Sequence, residues 1–422
     1  MITADEALQR ILAQATALAK EEERIAVAAA EGRVVAEAVH SPQHLPPFDN
    51  AAMDGFALRL DGVAAAPGQQ FLLEGWLAAG DGAADATHGA WEIMTGARLP
   101  TGLDSVVPVE QVAVVEMVDG RPARVELRAA VVPGQHVRCR GQDVAQGDLL
   151  LEAGTRVDTN AVALLHAVGA AEVTVRRRPR VAVIATGKEL VTDAGQRLDS
   201  GQIRDSNRPY LVARMRSAGA EVVWQDTVSD EVAQFERALD AALAAGARVI
   251  VSTGAVSAGR YDFIPDALRA RHADIVFHKV AIRPGKPLLF ARLACGALYF
   301  GLPGNPVSTA VGQRFFVEPA LRVLLGLPAE RVPEVPLATP VRAPAGLRWH
   351  VRARVGVDTS GRLRATVLTG QESFRLATTM RANAWAVIEP APDGADVACG
   401  RVWGWSHLEP IDLQNEEATW LS

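Results

Sequence analysis

Leu8, Ile11, Leu12, Ala15 and Leu18 recur at the spacing of one helix face, and Thr3 followed by Glu6 supplies a capping box at its start. A second short helix is predicted over residues 27–36, with Gly32 interrupting it. The prolines of S-P-Q-H-L-P-P-F-D-N (41–50) exclude helix there. From there to about residue 175, short apolar runs at 71–73, 91–94, 105–108, 124–127 and 148–151 are divided by Gly and Pro. That pattern predicts small β-domains with non-local pairing, and a bridging helix follows at 159–168. The basic run R-R-R-P-R (176–180) reads as a solvated linker and a boundary.

Beyond the linker the texture changes. Apolar strands at 181–185, 222–224, 249–252, 275–280, 288–290 and 297–300 alternate with helical patterns at 209–218, 231–245, 264–271 and 306–325. This alternation predicts an α/β domain with a doubly wound, mainly parallel sheet. Short β runs return at 352–357, 363–368, 384–388 and 400–405, which predict a small C-terminal β-barrel or sandwich. The expected organisation is therefore α/β plus β in three parts. Residues 1–176 form a helical and β-rich region of two chain-discontinuous subdomains, 177–328 the α/β domain, and 333–410 the barrel.

Composition narrows the function classes. At 422 residues the chain exceeds one ordinary core, and 49% apolar with 22% charged residues is globular. A net charge of −6 gives no global basic field, so neither nucleic acid nor a membrane surface is an expected partner, and anion binding must be local. Cys139, Cys295 and Cys399 lie far apart without a C-x-x-C pair, which disfavours a disulfide framework or a cysteine zinc site. No apolar run is long enough to span a membrane, and Asp5 and Glu6 stand where a signal peptide would be basic. The expected location is cytoplasmic.

The local anion site has a clear candidate. Lys279–Ser308 reads K-V-A-I-R-P-G-K-P-L-L-F, a short connection, then L-Y-F-G-L-P-G-N-P-V-S. It places Lys279, Arg283 and Lys286 among prolines and glycines, and opens a helix at Pro306, where a missing N–H costs nothing. The plainer alternative is a pair of rigid loops in an α/β core. In an open parallel sheet, ligands bind beyond the carboxyl ends of the strands. Three strands here end in small, polar loops: Thr186–Gly187–Lys188–Glu189, then Ser252 to Gly259 with Gly254 and Ser257, and Pro303–Gly304–Asn305–Pro306. Glu189, Asp230 and Asp262 are loop carboxylates on that edge and suit Mg²⁺, which takes oxygen ligands and bridges phosphates; Asp230 has helix capping as its alternative role. The conjunction points to a phosphate or pyrophosphate ester with a divalent metal. In the β-rich part, Asp54 in D-N-A-A-M-D-G, Thr95 before Gly96, and Arg138 and Arg140 on alternate positions near Asp143 are further candidates, against the alternative of a solvated strand face.

Taken together, seven ordered motifs resemble the MoeA family of molybdopterin molybdenumtransferases, related to the E-domain of animal gephyrin. They are P-P-F-D-N-A-A-M-D-G-F-A, I-M-T-G-A, R-G-Q-D-V, A-T-G-K-E-L, S-T-G-A-V-S-A-G-R-Y-D, I-R-P-G-K-P and G-L-P-G-N-P-V-S, and they span nearly the whole chain. The resemblance implies a MoaB/MogA-like α/β domain within an elongated homodimer of four-domain subunits. It implies a cleft between the α/β domain of one subunit and N-terminal elements of the other. The activity implied is hydrolysis of adenylylated molybdopterin with Mg²⁺, insertion of molybdate and release of AMP. Its implied partners include the adenylyltransferase and molybdoenzyme chaperones.

By motif position, Asp54, Glu189 and Asp262 are the expected catalytic residues, with Glu189 and Asp262 on the metal. Thr95, Arg138 and Asp143 would line the cleft, with Thr186, Gly187, Asp230, Gly254 and Ser257 at its floor. Lys279, Arg283, Lys286 and Arg352 would hold molybdate or phosphate, and Pro303, Asn305 and Pro306 would shape the wall.

The chain departs from the family pattern at Ala255, where a second glycine is usual, at Arg260 for Glu, at Arg283 for Lys and at Gln142 for Glu. Leu376–Ala377–Thr378–Thr379 replaces a Ser-Ser segment, which removes a hydroxyl from the molybdate side. These departures keep open a non-catalytic pterin-binding scaffold as the rival reading, beside a molybdopterin adenylyltransferase.

Overall fold

The computed structural model describes residues 1–18, 20–256, 263–391, 395–409 and 411–415. The chain divides into two compact units, one of Met1–Glu23, Gly32–Ala36 and Val175–Ser422, the other of Arg24–Glu31 and Glu37–Thr174. The first helix therefore belongs with the distant α/β part.

In the second unit, six strands pair in the order Ser105–Pro108, Gly55–Leu58, Ala90–Ile93, Gln70–Leu77, Arg121–Leu127 and Val112–Val118. Gly55 sits where a Cβ would meet the Val107 carbonyl oxygen at 1.9 Å, so no other residue fits that strand crossing. Phe56, Leu58, Val107, Val125 and Leu127 fill one small core, and Ala57, Leu77, Ile93 and Val106 fill a second. The helix predicted over 27–36 shrinks to a single 3-10 turn, Val27–Ala29, because the chain reverses at Gly32 with φ +74°. Arg138 and Arg140 do not share a strand face. The strand Val137–Arg138 ends at once, the Gln142 side chain accepts the Cys139 N–H, and Gly141 turns at φ +72°.

The first unit holds a six-stranded sheet. Glu221–Val228, Arg180–Thr186, Val249–Thr253 and Leu298–Leu302 run parallel, and Leu289–Arg292 and Asp274–His278 extend the sheet antiparallel. Alternate residues of these strands face opposite cores. Val181, Val183, Val251 and Phe300 meet the helices Ala4–Ala17, Asn207–Ser217 and Pro306–Gly312, whereas Ile184, Ile250 and Tyr299 meet Val232–Ala244 and Ile264–Ala270. Helices on both faces make the domain doubly wound, as the near-continuous apolar strands predict. The long final helix is interrupted by a π turn, Gln313–Val317, before Glu318–Leu324.

C-terminal to it, Arg348–Val357, Leu363–Val367, Glu334–Arg342, Asp396–Trp403 and Ala384–Ile388 pair in sequence, and Arg348–Val357 pairs back with Ala384–Ile388. Five strands thus close a barrel. Phe315, from the π turn, packs 4.4 Å from the His350 ring and 5.5 Å from Trp403, joining barrel and α/β domain. Among the described residues no helix is long and apolar enough to cross a membrane.

Candidate active site

The carboxyl ends of the parallel strands open into a cleft of about 630 Å³. Thr186, Gly187, Glu189, Asp230, Gly254, Pro303, Asn305 and Pro306 all line it, so eight of the sequence candidates converge on one place. Ser257 and Asp262 lie outside the described residues.

The floor is built by close backbone approach. Gly254 has φ +96°, and a Cβ there would stand 2.4 Å from the Thr186 carbonyl oxygen and 2.6 Å from its hydroxyl. Gly304 comes in from the neighbouring loop, with its would-be Cβ 3.7 Å from the Gly254 Cα. The wall at 303–306 is held by side chains that sequence reasoning passed over. The Thr309 hydroxyl donates to the Pro303 carbonyl at 2.6 Å, and Thr253 donates to the same oxygen at 3.2 Å. The Asn207 amide donates to the Gly304 carbonyl at 2.7 Å and to the Thr253 hydroxyl at 3.0 Å. Thr253 and Thr309 are buried, so each hydroxyl bond also removes a desolvation cost. The available signal was a polar residue inside an apolar strand or helix face.

Carboxylates line the same cleft. Asp205 is committed to the protein, since Arg208 and the Thr227 hydroxyl occupy both its oxygens. Asp230 accepts the Lys188 N–H at 3.2 Å and does not cap the helix Val232–Ala244, whose N-cap residue is Glu231. Glu189 folds back over Gly187, where a Cβ would meet its carboxylate at 2.8 Å. No ion pair joins Glu189 or Asp230 to a cation among the described residues. Nor do three His, Cys, Asp or Glu side chains gather there as a metal cluster. Two carboxylates without ion partners beside close-packed strand-end loops fit Mg²⁺, which takes one or two carboxylates and completes its shell with water and phosphate.

The cations lie differently from their expected convergence. Pro287 lines the cleft, whereas Lys279, Arg283 and Lys286 are not part of its lining. Arg283 lies over the Trp349 ring at 5.4 Å, where its short strand Ile282–Arg283 runs parallel to Arg348 and Trp349. None of the three is ion-paired among the described residues. The helix end at Pro306 is also less open than its sequence suggests. The Val307 N–H, in its first turn, already donates to the Ser373 carbonyl at 3.0 Å.

In the other unit, Asp54 and Thr95 form one device. A single Asp54 oxygen accepts the Thr95 N–H at 2.6 Å and its hydroxyl at 2.8 Å. The backbone N–H first, and the hydroxyl second, hold the Asp54 carboxyl below its ordinary pKa. Arg138 stands opposite Asn50 in a two-residue ladder, and Asp143 is exposed in the turn that follows.

Three family models match the chain: MoeA N-terminal region (domain I and II) over residues 2–169, Probable molybdopterin binding domain over 182–323, and MoeA C-terminal region (domain IV) over 334–398. A protein named molybdopterin molybdenumtransferase in Synechococcus elongatus is 36% identical over 395 residues, covering 92% of this chain and 95% of its own. The chain belongs to the MoeA family. Molybdopterin molybdenumtransferase 2 of Mycobacterium tuberculosis is 40% identical over 336 residues, 77% of this chain and 81% of its own. The crystal structure of the molybdopterin biosynthesis MoeA protein from Pyrococcus horikoshii superposes with a TM-score of 0.80 at 27% identity, covering 96% of this chain and 99% of that one.

Two departures from the MoeA pattern have visible consequences. Ala255, the first of them, adopts φ +50°, a left-handed conformation that disfavours any Cβ. In the barrel, the Thr378 hydroxyl donates to the Gly370 carbonyl at 3.1 Å, and Ala377 offers no hydroxyl beside it. Arg352 is wholly buried. Its guanidinium donates to the carbonyls of Gly370, Glu372 and Arg375, and its backbone N–H to the Gln371 side chain. Those bonds grip the loop that follows strand Leu363–Val367.

Proposed function

We propose that this chain inserts molybdate into adenylylated molybdopterin, with cleavage of the pyrophosphate link and release of AMP. The observation that carries the proposal is the single cleft in which three strand-end loops set close backbone beside two unpaired carboxylates, in the segment that matches the molybdopterin-binding model. The glycine floor lets backbone groups approach phosphate oxygens, and Glu189 and Asp230 supply oxygen ligands. Bound there, Mg²⁺ would neutralise phosphate charge as the P–O bond breaks. Lys279, Arg283 and Lys286, without ion partners among the described residues, supply positive charge for the molybdate dianion on the segment that leads into Pro287 of the cleft lining. The homodimer, the cytoplasmic setting and the contribution of Asp54, Thr95, Arg138 and Asp143 to a partner subunit's cleft belong to the same proposal.

The deciding experiment incubates the purified chain with adenylylated molybdopterin, Mg²⁺ and micromolar molybdate. Molybdate-dependent AMP release with metal insertion supports the proposal. Binding without turnover would instead establish the non-catalytic scaffold, which the Ala255 and Ala377 departures favour. ATP consumption with free molybdopterin would establish the adenylyltransferase.

A further inference from the structure

Phe374 is the only aromatic ring lining the cleft among the described residues, and it is 65% exposed. Leaving a phenyl face in water forfeits apolar burial, so its position calls for a reason. The loop beneath it is not loose. Arg352 holds the carbonyls of Gly370 at 2.9 Å and Glu372 at 3.3 Å, and also that of Arg375. The Gln371 amide donates to the carbonyls of Arg352 and Leu368, both at 2.8 Å. The Ser373 carbonyl is anchored by the Val307 N–H at 3.0 Å. Main chain on both sides of Phe374 is therefore fixed, and the exposed ring, with the Arg375 guanidinium 5.8 Å from its centre, lines a cleft whose other walls are glycine, proline, aliphatic and polar residues. A pre-ordered aromatic face loses little freedom when something flat lies against it.

We propose that Phe374 is the stacking wall of this cleft for a planar nitrogen heterocycle, and that Arg352 is the residue that positions it from behind. The proposal rests on the transferase reading above and deepens it: the barrel meets the ring of the substrate, and Arg352 acts on the loop, not on the oxyanion. Adenine and pterin share this chemistry, and the substrate of that reading contains both.

The test measures equilibrium affinities of the full chain for AMP, for a soluble pterin and for ribose 5-phosphate. Phe374→Ala is expected to weaken AMP or pterin about tenfold, the loss typical of a deleted base stack, and to leave ribose 5-phosphate unchanged. Phe374→Tyr restores affinity because it keeps the ring face. The ring ligand that suffers identifies the stacked ring. Arg352→Gln is expected to copy the Phe374→Ala loss, and the double variant to lose no more than either single one. Arg352→Lys keeps the charge but not the fork, and is expected to recover only part of the binding.

Unchanged AMP and pterin affinities in Phe374→Ala overturn the stacking wall, as does a wild-type chain that binds neither. A separate loss of ribose 5-phosphate or molybdate binding in Arg352→Gln or Arg352→Lys overturns the positioning role. Failure of the transferase reading is separately visible, as absent molybdate-dependent AMP release from the wild type.

Discussion

A side-chain carbon on Gly254 would stand 2.4 Å from the carbonyl oxygen of Thr186, closer than any real contact permits. The floor of the cleft is therefore a property of two backbones. Gly254→Ala meets both this clash and a φ of +96°. The expected result is a loss of about 1–3 kcal/mol of stability together with at least tenfold weaker AMP binding. Urea unfolding and calorimetric titration check both, and normal values in each would refute the close-packed floor.

One residue further on, the chain carries the opposite case. Ala255 sits at φ +50° with a Cβ that glycine would lack. Ala255→Gly relieves about 1 kcal/mol of left-handed strain, but the extra freedom that glycine gives the unfolded chain offsets much of that gain. A net gain of a few tenths of a kcal/mol is expected, read as a higher urea midpoint at unchanged slope. A lower midpoint would show that the strain is not there.

Glu189 is expected to be indispensable to hydrolysis and dispensable to folding. Glu189→Gln keeps the shape of the side chain but removes the charge that suits Mg²⁺. Turnover should fall by two orders of magnitude or more while the melting temperature stays within about 2 °C. Full activity in this variant would falsify the metal assignment.

The ion cluster around Glu318 stabilises by geometry that one deletion breaks. Glu318 is wholly buried, 3.3 Å from Arg314 and 3.6 Å from Arg214, and it also accepts the His407 N–H at 2.9 Å. Burial outweighs both arginines and raises its pKa. Glu318→Ala would leave Arg314 with Glu330 and Arg214 with the more distant Glu409 as their acidic partners, at a cost of about 3 kcal/mol. Glu318→Gln keeps the bond to His407 and should cost less. Equal, small effects in denaturant unfolding would show the cluster to be solvated.

His350 provides the pH prediction. Burial above all, then the Arg348 charge, lowers its pKa from 6.5 to about 3. The folded state thus resists protonation that the unfolded chain accepts. Its contribution is fully present above pH 6.5 and is lost as pH falls toward 3. Between pH 6.5 and 5 the loss should reach about 2 kcal/mol, and His350→Gln should flatten that slope. An unchanged slope would mean that His350 titrates normally.

Much of the architecture was legible because buried parallel strands write themselves as apolar runs. Residues 181–185 and 249–252 are examples, and both became strands facing two cores. Val112–Val118 was not, since five consecutive residues of it are exposed and no alternation marks it. The cleft was legible through its glycines and prolines. Its supports, Asn207, Thr253 and Thr309, were not, because a buried hydroxyl declares itself only through the carbonyl it meets. Arg352 was legible as a cation but not as an inward-facing one, since the loop that absorbs its donors comes together with it only in three dimensions.

The bond from Val307 to Ser373 places barrel and α/β domain on the two ends of one donor–acceptor pair at the cleft rim. Tilting one body away from the other breaks that bond beside Pro306 and Phe374, which both line the cleft. Occupancy of the cleft is therefore expected to favour seating of the barrel. A ligand that fills the pocket should protect the barrel from protease, and a mutation at their distant seam should register as lost affinity.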